Sequence, residues 1–128
     1  MPLRHHSLIA WQRADDLFVR VHRLARQHFP REEMFALTSQ LRRAAYSVPA
    51  NIVEGFARES TRERLHFLTI SAASLAEVGY CLHAARRLGY IDDKLYAEVD
   101  LEIRRTSSPL AGLIQQHRRQ CRGTKDFG

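Results

Sequence analysis

The apolar residues on both sides of Pro49 form a single helical row, which constrains the fold more than any other feature of the chain. The row steps by three or four residues throughout: Met34, Leu37, Leu41, Ala44, Val48, Ile52 and Phe56. A helix that ended at the proline and began again would have no reason to keep this phase. We therefore predict one continuous helix over residues 31–57, kinked at Pro49, where an interior proline costs roughly 3 kcal/mol.

Two further helices are predicted around this one. The first covers residues 7–28, with Ser7 as its N-cap, and the Phe-Pro step that follows ends it. The third begins at Ser60 or Thr61, whose hydroxyls suit the N-cap, and reaches Leu88. Gly89 then fits the position after the C-cap, where a left-handed backbone is common.

A fourth helix is predicted from Asp92 or Asp93 to Arg119, with a bend or short break at Pro109. The sequence has no sustained period-two alternation, no hairpin turn and no internal repeat. Four helices joined by short loops predict an all-α fold, an up-down-up-down antiparallel four-helix bundle. One domain over residues 1–119 and a flexible tail over residues 120–128 are expected.

The charge of the chain favours a polyanionic partner. Lysine and arginine number 20 against 14 acidic residues, for a net charge of +6 and a pI of about 10.0. When basic side chains contact RNA or DNA phosphates they release counterions, so an excess of basic residues favours nucleic-acid binding. Most basic clusters alternate with acids, but the C-terminal cluster lacks such compensation until Asp126. The nucleic-acid-binding candidates are therefore Arg104, Arg105, Arg118, Arg119 and Arg122.

Catalysis and metal binding are not predicted. The seven histidines lack metal-ligand spacing, since His22 and His28 are six residues apart and face different sides of a helix. No motif presents an activated serine or cysteine, and no glycine-rich loop precedes a helix. Cys81 and Cys121 are expected to be free thiols. We therefore expect a non-enzymatic protein without a cofactor.

A polar set on the second and third helices is harder to interpret. It comprises Gln40, Arg42, Ser47, Asn51, Glu54 and Glu77. One hypothesis is a hydrogen-bonded network that fixes the kink, solvates the carbonyl freed at Ala45 and pairs carboxylates with arginines. The others are a subunit contact and a small-ligand site near Asn51 and Glu54.

The sequence indicates no membrane span or secretion signal. No apolar run approaches the roughly 18–20 residues that cross a bilayer. The N-terminus has no apolar core of signal-peptide length and no small-residue cleavage site. We therefore expect a cytoplasmic protein with no membrane partner.

The run LTSQLRRAAYSVPANIVEGFARES, with HFLTISAASLAEVGYCL and RRLGYID further on, resembles a bacterial family of small four-helix-bundle proteins. Members are often encoded within intervening sequences of ribosomal RNA genes. The accessory variability determinant of diversity-generating retroelements is similar to this family at a greater distance. The resemblance covers residues 8–117, and its most specific part runs from Gln40 to Gly55.

The resemblance implies a homopentameric ring with a central channel, and it carries no catalytic residues. The retroelement relative has a basic surface and binds nucleic acid and a reverse transcriptase, although nothing in this chain identifies such a partner. The chain departs from the family pattern at Ala73, where glycine is usual, and after Glu77, where Val78 and Gly79 replace a second acidic step.

The prediction for function is a self-associating helical bundle that presents arginines to nucleic acid as an accessory or adaptor. Two alternatives stay open. One is a protein–protein adaptor with no nucleic-acid role, and the other is the ligand site near Asn51 and Glu54.

Overall fold

A computed structural model describes His5 and residues 8–125, with the backbone alone for residues 124 and 125. The first helix, α1, spans Ile9–His28. It ends where Phe29 turns to an extended backbone before Pro30. The predicted N-cap, Ser7, lies outside the described residues.

The second helix, α2, spans Leu37–Phe56 and contains Pro49. The prediction of one helix across the proline is therefore confirmed, while the kink at Pro49 remains a prediction. The predicted start at residue 31 is wrong. Residues Arg31–Glu33 form a short 3₁₀ turn, and Ala36 has a non-helical backbone. Met34 is about half exposed and Phe35 is 92% exposed, so no burial holds this turn in a helix.

The third helix, α3, spans Thr61–Arg87 and ends as predicted at both termini. The hydroxyl of Ser60 accepts a hydrogen bond from the backbone amide of Glu63 at 3.3 Å, which makes Ser60 the N-cap. Gly89 has a φ of 81°, a left-handed value that glycine adopts without strain. Both local signals in the sequence are confirmed.

The fourth helix, α4, spans Asp93–Lys125 and contains Pro109. The Asp92 carboxylate accepts a hydrogen bond from the amide of Leu95 at 2.8 Å and caps the helix. No break occurs at Pro109, and residues 120–125 continue the helix past the predicted boundary at 119. Burial of Ile114 and His117 anchors this last part, and helix-favouring Gln and Arg side chains extend it.

The helices form an antiparallel four-helix bundle, as predicted. Each helix packs against the next one in the chain, and α1 packs against α4 to close the bundle. In the described part of the chain, no Cα atoms of diagonal helices lie within 8 Å of each other, and no strand is present. The fully buried core contains Leu17, Val21, Leu41, Val48, Ile52, Leu68, Val78, Leu82, Val99 and Leu110.

Two serine contacts fix the register of α3 along α2. The Ser71 hydroxyl donates to the backbone carbonyl of Val48 at 2.7 Å. One turn further along α3, the Ser74 hydroxyl donates to the Ser47 hydroxyl at 2.7 Å. Since the helices are antiparallel, residues of α2 and α3 whose numbers sum to about 120 lie at the same height along the bundle.

The composition of α3 corrects the sequence interpretation on one point. By length and composition alone, α3 is apolar enough to cross a membrane. The search for an uninterrupted apolar run missed this because serine, threonine and glycine are interspersed along the helix. Leu75 and Val78 are buried against the rest of the bundle, so part of that apolar character belongs to the core.

Candidate nucleic-acid interface and the polar residues around Pro49

All five arginines predicted to contact nucleic acid are exposed on α4. The buried row of this helix is Thr106, Leu110, Ile114 and His117. At 3.6 residues per turn, the five arginines fall within an arc of about 140° roughly opposite that row, and they span about 27 Å of helix. The helix therefore presents them to solvent on one side.

The arginines differ in how far neighbouring acids compensate them. Arg104 contacts the Asp100 carboxylate at 3.0 Å, one helical turn away. Arg105 lines a shallow groove with Glu102 and Asp16. Between Ile103 and Lys125, however, the sequence contains no aspartate or glutamate. In the described part of the chain, none of the ion pairs involves the three arginines Arg118, Arg119 and Arg122.

This uncompensated part of α4 lies near the connection between α2 and α3. The rings of Phe56 and His117 are 5.8 Å apart, which places the end of α2 beside α4. The arginines of the connection are engaged by the protein. Arg58 contacts Glu54 at 3.3 Å, and Arg64 donates to the carbonyl of Arg58 at 2.9 Å. They add positive potential but are less free to bind phosphate.

Part of the predicted polar set does meet around Pro49. The Asn51 amide nitrogen donates to both the carbonyl and the hydroxyl of Ser47, each at 2.8 Å. Ser74 completes the cluster through its contact with Ser47. The Asn51 side chain reaches the carbonyl of Ser47, and the Ser71 hydroxyl reaches that of Val48. The sequence had instead predicted a polar contact at the carbonyl of Ala45. Ser71 was missed, although a serine between Leu68 and Leu75 on a buried row signals a polar contact.

The rest of the predicted set lies outside this cluster. Gln40, Glu54 and Glu77 are exposed, and Glu54 pairs with Arg58 along its own helix. The network hypothesis expected a carboxylate to pair with Arg42 or Arg43, but among the described residues none of the ion pairs includes either arginine. The Nε atom of Arg42 is buried and has no hydrogen-bond partner among the described residues. Glu54 and Glu77 keep their hydration because they are exposed, whereas a buried carboxylate would need several hydrogen-bond donors.

Most of the chain matches the model of one protein family. Residues 6–112 match the model of the 23S rRNA-intervening sequence protein family. The chain belongs to this family. Its relation to the accessory variability determinant of retroelements remains a prediction.

One solved structure has the same fold. It is a protein of unknown function from the S23 ribosomal protein family of Bacteroides thetaiotaomicron, with a TM-score of 0.77 and 21% identity. The match covers 84% of this chain and 96% of that one. At this identity the likeness supports the fold alone. No curated protein matches the chain significantly.

The structure explains why a 23S rRNA-intervening sequence protein follows Pro49 with Asn51 and Gly55. Asn51 binds back to Ser47 beside the proline. At Gly55, a Cβ atom would lie 3.3 Å from both the Arg64 carbonyl oxygen and the Phe67 Cβ atom. The missing side chain therefore lets α3 approach α2 closely at this point.

An apolar groove lies on the other side of α2, between α1 and α2. It has a volume of about 320 Å³ and is lined by Trp11, Asp15, Phe18, Tyr46, Pro49, Ala50, Val53 and Glu54. We call it the α1–α2 groove. Asn51 does not line it, so the two residues of the predicted ligand site do not share this groove.

Positive charge gathers at one end of the α1–α2 groove. The His22 ring packs on Phe18, with centroids 5.9 Å apart. Partial desolvation lowers the pKa of His22 below its usual value, and the nearby guanidinium groups of Arg42 and Arg26 lower it further. Both effects favour the neutral form of the His22 ring.

The described residues contain no group of three or more His, Cys, Asp or Glu side chains that could hold a metal ion. Cys81 is buried and Cys121 is half-buried, and both are free thiols. Burial raises the pKa of the Cys81 thiol, and the neighbouring Glu77 carboxylate raises it further. The raised pKa disfavours the reactive thiolate form of Cys81.

Proposed function

We propose that this protein is a non-enzymatic, oligomeric helical bundle that binds nucleic acid through arginine–phosphate contacts along α4. The observation that carries the proposal is the acid-free second half of α4, where Arg118, Arg119 and Arg122 are exposed and form none of the ion pairs found in the described residues. A rigid helix holds these guanidinium groups in place, so little conformational freedom is lost beyond that of the side chains themselves.

The proposed contacts address the phosphate backbone rather than the bases. The arginine arc of α4 carries no exposed aromatic ring on which a base could stack. Phosphate contacts position a protein on nucleic acid without reading its sequence. The family is described by its connection with intervening sequences of 23S rRNA, and RNA is therefore the first probe to test. A cytoplasmic location is part of this proposal.

The direct test is a binding titration by fluorescence anisotropy with an RNA hairpin, duplex DNA and single-stranded DNA. The test variant is Arg118→Ala/Arg119→Ala/Arg122→Ala. The matched control is Arg23→Ala/Arg31→Ala/Arg87→Ala, which removes the same charge from exposed sites at the opposite end of the bundle. We expect the test variant to bind RNA at least tenfold more weakly and the control to lose less than threefold. Equal losses would show a general charge effect and contradict the proposed site.

Self-association is the second part of the proposal, with a pentamer implied by the resemblance. The apolar exposed residues of α3 support it, because monomeric proteins rarely leave a contiguous apolar surface uncovered. In an oligomer, several copies of α4 would act on one nucleic acid, and their combined affinity would exceed that of one copy. Light scattering at several protein concentrations measures the mass, and a mass of one chain throughout would contradict self-association.

An adaptor that binds another protein is the second candidate function. Phe35 is 92% exposed and Met34 is about half exposed in the connection before α2. An exposed aromatic residue of this kind is typical of a protein contact. Two results together would favour this function. The wild-type protein would bind no RNA at any salt concentration, and it would capture a defined partner that Phe35→Ser no longer binds.

A further inference from the structure

The exposed side of α3 is unusually apolar. Only 39% of the most apolar 18-residue window of α3 is buried within the bundle. Ile70, Ala73, Glu77 and Tyr80 recur at spacings of three and four on this side, and we call them the α3 stripe. Tyr80 is 69% exposed and Ile70 is 36% exposed. Glu77 is the one residue with a formal charge between Leu65 and Leu82.

The α1–α2 groove has the complementary character. Its middle is apolar, where Phe18 and Tyr46 pack with ring centroids 6.0 Å apart. At one end, Arg42 keeps a buried Nε atom without a partner among the described residues. Because that atom is buried within its own chain, a carboxylate from another copy would pair with the accessible part of the Arg42 guanidinium, which is half-buried.

The two surfaces lie at the same height along the bundle. Residues of α2 and α3 whose numbers sum to about 120 are level, as the serine contacts Ser71–Val48 and Ser74–Ser47 show. By this register Glu77 is level with Arg42, and Ala73 is level with Tyr46. In the same way, Ile70 is level with Pro49 and Ala50, in the apolar part of the groove.

We infer that the α3 stripe of one copy packs into the α1–α2 groove of the next copy, with the Glu77 carboxylate accepting a hydrogen bond from Arg42. This inference rests on the self-association proposed above and names its surfaces. Copies in a closed ring are related by rotation without translation. When the helices run along the ring axis, only residues at equal height meet, and Glu77 and Arg42 satisfy this condition.

The observations favour a second copy over an unrelated partner, because one chain carries both halves of the contact. The apolar step from Glu77 to Ile70 and the step from Arg42 to Pro49 each cover seven residues, or about 10 Å of helix. The single carboxylate of an apolar stripe therefore meets the Arg42 guanidinium, which lies one turn beyond Tyr46 at the end of an apolar groove. Since the stripe and the groove are different surfaces, the contact is heterologous, as in a ring.

Charge reversal tests the inference, with mass measured by light scattering. We expect wild type to be oligomeric and Glu77→Arg and Arg42→Glu each to weaken assembly at least tenfold toward the 14.8 kDa chain. The double variant, which exchanges the charges, should recover the assembly. Far-UV circular dichroism checks that each variant remains helical. Oligomeric single variants would overturn the inference but leave self-association intact, whereas a monomeric wild type would overturn both.

A cysteine pair provides a test that does not depend on tolerance of charge reversal at Arg42. Tyr46→Cys and Ala73→Cys are placed in separate chains, each with Cys81→Ala and Cys121→Ser, and the two proteins are mixed and oxidised. Any disulfide between the two is then intermolecular. We expect this pair to cross-link at least tenfold faster than Tyr46→Cys with Leu101→Cys, an exposed site on α4. Equal rates would overturn the inference.

Discussion

The Ser71 hydroxyl donates a 2.7 Å hydrogen bond to the carbonyl of Val48, the residue immediately before Pro49. Ser71 is fully buried, and so is Val48. The bond therefore joins α3 to α2 at the point where proline removes one bond from the helix ladder. It also fixes the register on which the proposed contact between copies depends.

Ser71→Ala should destabilise the protein by about 1–3 kcal/mol, since it removes the hydroxyl from a buried hydrogen bond. Urea unfolding followed by circular dichroism measures the change. Thr69→Ala is the matched control, because its hydroxyl donates to the His66 carbonyl of the same helix at an exposed site. We expect the control to change stability by less than about 0.5 kcal/mol. Equal effects would contradict the role assigned to Ser71.

Gly55→Ala should destabilise the protein by about 1–3 kcal/mol, because the new Cβ atom would press on the α3 backbone at Arg64 and force the helices apart. Gly112→Ala provides the opposite case. No atom lies within 4 Å of its added Cβ atom, and alanine favours a helix interior by up to about 1 kcal/mol. Thermal unfolding should therefore show opposite shifts for the two variants, and a stabilised Gly55→Ala would refute close packing there.

Cys121 should react with a thiol reagent faster than Cys81. Cys81 is buried, and burial together with the Glu77 carboxylate raises the pKa of its thiol. At any pH near neutrality, a smaller fraction of Cys81 is therefore in the reactive thiolate form. Absorbance of the released thiol, measured in Cys81→Ala and Cys121→Ser separately, gives the two rates. A rate for Cys81 equal to that for Cys121 would contradict the burial of Cys81.

Protonation of His22 should oppose folding. Its pKa is lowered in the folded state, by desolvation first and then by Arg42 and Arg26. The unfolded state thus binds the proton more tightly, and the contribution of His22 to stability falls as the pH decreases through the ordinary histidine pKa of about 6.5. NMR titration measures this pKa. Arg42→Ala should raise it toward the ordinary value, and no change would contradict the proximity of Arg42.

Much of the bundle could be predicted from the sequence because its signals are local. The phase kept across Pro49 predicts a continuous α2, and Ser60, Gly89 and Asp92 mark helix ends by their own chemistry. The start of α2 could not be predicted in the same way. Met34 continues the apolar row, yet nothing packs over it, and burial depends on the neighbours that the fold supplies.

The candidate sites were only partly predictable, for a related reason. The α4 arginines lie opposite an apolar row, and the helical periodicity of that row in the sequence predicts their exposure. The partners of polar groups depend on contacts between helices. Ser71 binds Val48 from a distance of 23 residues in the chain, and the unpaired Nε atom of Arg42 has no sequence signal. Such contacts require the register of α3 along α2.

The salt dependence of RNA binding tests the central claim most directly. Each phosphate contact contributes about 0.7 to the slope of log Kd against log salt concentration for a single strand. We predict that Arg118→Ala/Arg119→Ala/Arg122→Ala lowers this slope by about 2, while the control triple variant at Arg23, Arg31 and Arg87 leaves it unchanged. A test variant with the wild-type slope would contradict phosphate binding by α4.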